Sequence, residues 1–113
     1  MAQYITKTID SVIKGTTFKG IGFLIKTGPD SDHLEPLPLS AAKMELKVSD
    51  NAPASLTLTD GAGLTIDSSN PGLVTVDKQV IDIDAFNYVY EIEVTTLDGD
   101  KFIYIKGSWE ITN

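Results

Sequence analysis

Between Tyr88 and Thr112 apolar and polar positions alternate in two runs, YVYEIEVTTL and DKFIYIKGSWEIT, separated by Asp98-Gly99. Alternation with a period of two predicts two half-buried strands, and Asp-Gly between them is the strongest short-range signal for a hairpin. A two-residue turn there sets a register. Leu97 faces Asp100, Val94 faces Ile103, Ile92 faces Ile105, Tyr90 faces Gly107 and Tyr88 faces Trp109, all on one side. On the other side Glu93 faces Tyr104, and Glu91 faces Lys106 as an opposite-charge pair. Glycine at 107 leaves room for the Tyr90 ring to lie over bare backbone.

The same reading extends along the chain. Tyr4–Ile9 is a first short strand and Thr17–Lys26 a second, with Gly20 and Gly22 marking a bulge or close backbone approach. From 27 to 40 the prolines at 29, 36 and 38 disfavour helix and central strand, which leaves a surface crossover. Leu37 and Leu39 are expected to tuck under the domain edge. Met44, Leu46 and Val48 alternate with Lys43, Glu45 and Lys47, which predicts a strand with the first three facing in. Shorter strands follow at 56–58, 64–66 and 73–77, with turns at Asp60-Gly61-Ala62-Gly63 and Asn70-Pro71-Gly72. Residues 79–86 are ambiguous between loop and a short helical turn. About seven to nine short strands with frequent turn signals and no long amphipathic helix predict an all-β fold, an antiparallel β-sandwich with a barrel as the alternative.

Composition narrows the function more than it defines it. At 113 residues, with 42% apolar and 22% charged positions, the chain is expected to form one globular domain over residues 1–113. It has no cysteine, which removes disulfides and thiolate metal sites. A net charge of −7 disfavours a nucleic-acid partner. The first residues lack a secretory pattern and no apolar run approaches a membrane span, so no membrane association is expected and synthesis is placed in the cytoplasm.

Candidate chemistry is sparse. His33, the only histidine, sits in a polar loop and reads as solvated. Asp82 and Asp84 share a face if extended, but no calcium-loop spacing surrounds them. Glu91 and Glu93 share the outward face of the hairpin, with nothing to place them across a cleft. No nucleophile elbow, phosphate-cradling loop or metal-ligand cluster is present in the sequence, so neither an enzyme nor a cofactor or metal is expected. Phe102 and Tyr104 are the exception. In the register above they point away from Ile103 and Ile105, so they need a cover. That cover is either another part of the chain or a partner, which makes Phe102 and Tyr104 the candidate interface residues.

The order of the motifs supports a resemblance. Gly15-Thr16-Thr17-Phe18 is followed by Leu37-Pro38-Leu39-Ser40 and the strand Lys43–Val48. Asp60–Ile66, Pro71-Gly72-Leu73-Val74, Tyr88–Val94, Asp98-Gly99 and Gly107–Thr112 complete the series. In this order the chain resembles the immunoglobulin-like domains of tailed-phage and prophage structural proteins, among them the N-terminal domain of lactococcal phage baseplate upper proteins. The resemblance implies an immunoglobulin-like β-sandwich. It also implies a non-enzymatic structural or adapter role in a tail, baseplate or related particle, through contacts with other particle proteins, with a homo-oligomer expected. The competing expectation is a carbohydrate- or surface-binding β-sandwich module, which would require an exposed aromatic platform.

Overall fold

The computed structural model describes residues 5–27, 35–70 and 72–113. His33 and Pro71 lie outside these residues. Strands in chain order are β1 (Ile5–Thr6), β2 (Ile9–Ile13), β3 (Thr17–Phe18), β4 (Ile21–Leu24), β5 (Lys26–Thr27), β6 (Glu35–Pro36) and β7 (Leu39–Lys47). They continue as β8 (Leu56–Asp60), β9 (Gly63–Ile66), β10 (Leu73–Val76), β11 (Gln79–Val80), β12 (Phe86–Thr96) and β13 (Lys101–Thr112). No helix occurs among the described residues.

Nine strands form one mostly antiparallel sheet, in the order β1-β13-β12-β7-β8-β9-β10-β4, with β2 also beside β13. The pairs β3–β11 and β5–β6 form two small separate sheets. The large sheet curls, so that Leu64, Val74, Val76 and Phe23 from one arm join Met44, Leu46, Ile92, Ile105 and Trp109 from the other in one buried cluster. The result is a β-sandwich-like all-β fold. Phe18 packs on Trp109 with ring centroids 4.8 Å apart, and Trp109 is fully buried.

The predicted strand at Lys43–Val48 exists and is longer, reaching back to Leu39 through an irregularity opposite Thr95 and Thr96 that leaves Leu39 and Ala42 buried and Ser40 and Ala41 exposed between them. Met44 and Leu46 are fully buried, whereas Val48 lies beyond the strand and is exposed. Leu39 is buried and Leu37 packs against the core, as their apolar character requires. The expected strand over Thr17–Lys26 is instead three pieces, interrupted at Lys19-Gly20 and Ile25. The expected first strand is also divided. β1 and β2 both run parallel to β13, with Ile5 beside Ile105 and Ile9 beside Trp109.

The hairpin register differs from expectation near its tip. Pairing matches from Tyr88–Trp109 through Tyr90–Gly107 and Glu91–Lys106 to Ile92–Ile105. Beyond that, Glu93 pairs with Ile103, Val94 with Phe102 and Thr95 with Lys101. The two predicted pairs Val94–Ile103 and Glu93–Tyr104 do not form. The cause is a three-residue turn. Thr96 N–H donates to the Asp100 carbonyl at 2.9 Å, Gly99 N–H donates to the Thr96 carbonyl at 3.0 Å, and only Gly99 takes the left-handed conformation (φ 90°). A two-residue type I′ turn would force Asp98 to positive φ as well, which is costly for a residue with a Cβ. The longer turn slips the strands by one residue. A β-bulge at Tyr104 then restores the core register at Ile105.

Candidate interaction surface

The slip and the bulge decide which side chains of β13 face out. Phe102 and Tyr104 both pack against the core, their rings 6.1 Å apart, and the Tyr104 hydroxyl donates to the Lys26 carbonyl at 2.7 Å. That bond ties Tyr104 to β5, and both rings are half-buried. Ile105, adjacent to Tyr104 across the bulge, is fully buried. Ile103 takes the outward position opposite Glu93. Sequence reasoning missed Ile103, because a two-residue turn buries it.

The outer face of β7, β12 and β13 is laid out in rows. Thr57, Glu45, Glu91 and Lys106 lie side by side across β8, β7, β12 and β13. The next row holds Thr59, Lys43, Glu93 and Ile103, and on the other side Lys47, Val89 and Ser108 line up. Glu45 directly opposite Glu91 is a like-charge pair, which alone would be destabilising. Lys47 resolves it. Its ammonium is 3.2 Å from Glu91 and 3.9 Å from Glu45, and Lys106 approaches Glu91 from the other side at 4.0 Å. The Lys47 and Glu91 side chains are only 18% and 15% exposed, so the network is held in place by its own packing. An open groove of about 360 Å³ lies at one end of this face, lined among others by Ser40, Lys43, Thr59, Glu93 and Lys101.

The remaining sequence candidates are dispersed. Asp82 and Asp84 are exposed, and Asp84 meets Lys14 at 3.4 Å across the surface. Glu91 and Glu93 are neighbours on one flat face rather than opposed across a cleft. Among the described residues no group of three or more His, Cys, Asp or Glu is placed to hold a metal ion. The tyrosines at the start of β12 are structural. The Tyr88 hydroxyl donates to the Asp84 carbonyl at 2.5 Å, and burial, reinforced by the Asp84 carboxylate and opposed by Lys14, raises its pKa. The Tyr90 hydroxyl donates to the Lys7 carbonyl at 2.7 Å, and burial pushes its pKa up to about 12. Phe86, 48% exposed beside Tyr88, is the one largely exposed aromatic ring among the described residues, so no aromatic platform is formed by them.

With an all-β fold and a charged outer face described, comparison with known proteins adds little. No protein-family model matches the chain, and no curated protein matches it. Among solved structures it is similar to CopC from Methylosinus trichosporium OB3b, with 13% identity and a TM-score of 0.48, covering 91% of this chain and 82% of that one. It is also similar to part of the 2,6-sialyltransferase of Photobacterium sp. JT-ISH-224, with 10% identity and a TM-score of 0.41 over 99% of this chain and 19% of that one. Likeness this distant carries no inference about what this chain does.

Proposed function

We propose that this chain is an immunoglobulin-like domain serving as a non-enzymatic structural or adapter component of a phage or prophage particle, made in the bacterial cytoplasm and working through protein–protein contacts. The observation that carries this reading is the order of the sequence motifs. Most fall on strands of the large sheet: Leu37–Ser40 enters β7, Asp60–Ile66 spans the turn into β9, Leu73-Val74 begins β10, and Tyr88–Val94 and Gly107–Thr112 lie within β12 and β13, while Gly15–Phe18 leads into β3 of a small separate sheet. In this reading β2, β13, β12, β7 and β8 make one layer and β9, β10 and β4 the other, joined through the β8–β9 corner. The hydroxyl of Tyr88, reaching back to the Asp84 carbonyl as β12 begins, has the form of the tyrosine corner of such sandwiches.

The outer face of β7, β12 and β13 supports the adapter reading because it presents charged side chains in fixed positions, which favours specific partners over general stickiness. The test is direct. The immobilised chain is exposed to dissociated particle proteins and, separately, to a glycan array. Capture of a particle protein with no glycan binding is expected. Glycan binding without any protein partner would replace this reading with the carbohydrate-binding one.

A further inference from the structure

An aspartate followed by glycine is open to a spontaneous backbone rearrangement, because glycine puts no side chain beside the attacking nitrogen. The chain holds this dipeptide twice, at Asp60-Gly61 and Asp98-Gly99. Both glycines take the left-handed conformation, with φ 87° and 90°, and a Cβ on either would meet nothing within 4 Å. Sequence and glycine conformation treat the two sites alike. Their surroundings separate them.

Asp60 is the last residue of β8 and pairs with Leu64 of β9. One of its carboxylate oxygens accepts the Ile66 N–H at 3.1 Å, and the Gly61 N–H donates to the Leu64 carbonyl at 2.8 Å. Both reacting groups are therefore held by β9, and they meet only if that corner opens. Asp67, followed by Ser68, is held in a similar way: its carboxylate accepts the Ser69 and Asn70 N–H groups at 2.7 and 3.2 Å. Asp98 lies outside both strands of its hairpin, at the exposed tip between β12 and β13. Its carboxylate has no hydrogen bond or ion pair among the described residues. The Gly99 N–H is held by the Thr96 carbonyl within the same turn, so releasing it breaks no strand pairing. Leu97, next to Asp98, is 69% exposed and gives the tip no apolar anchor. Segments with few buried contacts open at the low end of local stability.

We propose that Asp98 is a site of spontaneous rearrangement to isoaspartate, from which the fold protects Asp60. The Gly99 nitrogen attacks Cγ of the protonated Asp98 carboxyl. The N–Cγ bond forms, a Cγ–O bond breaks, and the amide proton and the hydroxyl leave together as water. The product is a five-membered succinimide. Water then adds to one of its two carbonyls. Cleavage between the Asp98 backbone carbonyl carbon and the Gly99 nitrogen leaves the chain running through Cβ and Cγ, with the α-carboxylate as the side group. Cleavage at Cγ restores aspartate. An isoaspartyl link adds one backbone atom to the three-residue turn and so loosens the Thr96–Asp100 bond that closes it. This inference is independent of the particle reading.

The test is peptide mapping of the folded protein after prolonged incubation in mildly acidic buffer. Fragment ions specific to an isoaspartyl bond accumulate at Asp98 about tenfold or more faster than at Asp60, the ratio that ~1.4 kcal/mol of additional opening energy at the β8–β9 corner produces. A species one water lighter, carrying the succinimide, precedes them. In urea the two sites react at similar rates, because the difference between them lies in the fold. Asp98→Glu, which would need a six-membered ring, keeps the fold and removes the signal at this position. An Asp98 that stays unconverted in the folded protein overturns the proposal, and so do equal rates at Asp60 and Asp98 in the folded state.

Discussion

The Tyr90 hydroxyl reaches across Gly107 to the Lys7 carbonyl, 2.7 Å away, and so fastens the crossing between β1 and β2 to the centre of the sheet. Gly107 makes this possible. A Cβ at that position would overlap the Lys7 carbonyl oxygen and lie 2.9 Å from Tyr90 Cε2. Backbone on one side and a buried ring on the other leave nothing free to yield. Gly107→Ala is therefore expected to lose about 2–5 kcal/mol, in the range of severe core disruptions, in chemical denaturation. Tyr90→Phe keeps the ring, removes the hydrogen bond to the Lys7 carbonyl, and is expected to lose about 0.5–1.5 kcal/mol.

The same tyrosine predicts a pH dependence. Its pKa is raised by burial from 10.0 to about 12. A raised folded-state pKa contributes stability that is fully present below the unfolded value and is lost as pH rises through the folded one. Unfolding free energy should therefore fall between pH 10 and 12, and less steeply in Tyr90→Phe. Identical slopes for wild type and variant across that window would contradict the assignment.

The hairpin register separates two neighbouring isoleucines. Ile105→Ala removes a fully buried side chain and is expected to lose about 2–5 kcal/mol. Ile103→Ala removes an outward one and should stay within about 1 kcal/mol. Equal losses would favour a two-residue turn. Replacing Phe102 and Tyr104 together with serine should destabilise the fold by several kcal/mol, because both rings pack on the core.

Gly99 tests the turn itself. It holds φ at 90°, so Gly99→Ala is expected to lose about 1–2 kcal/mol, and Gly99→Asn less. Hydrogen exchange at the Thr96 amide, which donates to Asp100, reads the same turn without mutation.

Much of the fold was legible from side-chain alternation. Tyr88, Tyr90, Ile92 and Val94 face in as their period of two requires, and Met44 and Leu46 do likewise in β7. Gly107 was readable too, as a space left for Tyr90, although the crossing of Lys7 over it was not, since no local pattern announces a parallel partner for β13. The hairpin tip failed for a specific reason. Asp98-Gly99 suits either a two-residue turn or a three-residue one with Leu97, and the two put opposite faces of Phe102–Tyr104 inward. The facing of Phe102 and Tyr104 changed with it. Ile103 became visible as an outward residue only once the bulge at Tyr104 was seen. The ion-pair network was half legible: Glu91 facing Lys106 follows from the hairpin, but Lys47 reaching Glu91 depends on β7 lying beside β12, 44 residues away in sequence.

The central claim is that the chain belongs to a phage or prophage particle. Quantitative mass spectrometry of particles purified through a density gradient from the producing host tests it most directly. The account predicts that this chain bands with the particle proteins at a fixed copy number across preparations. Its recovery only in the soluble fractions, with none in banded particles, would contradict the account.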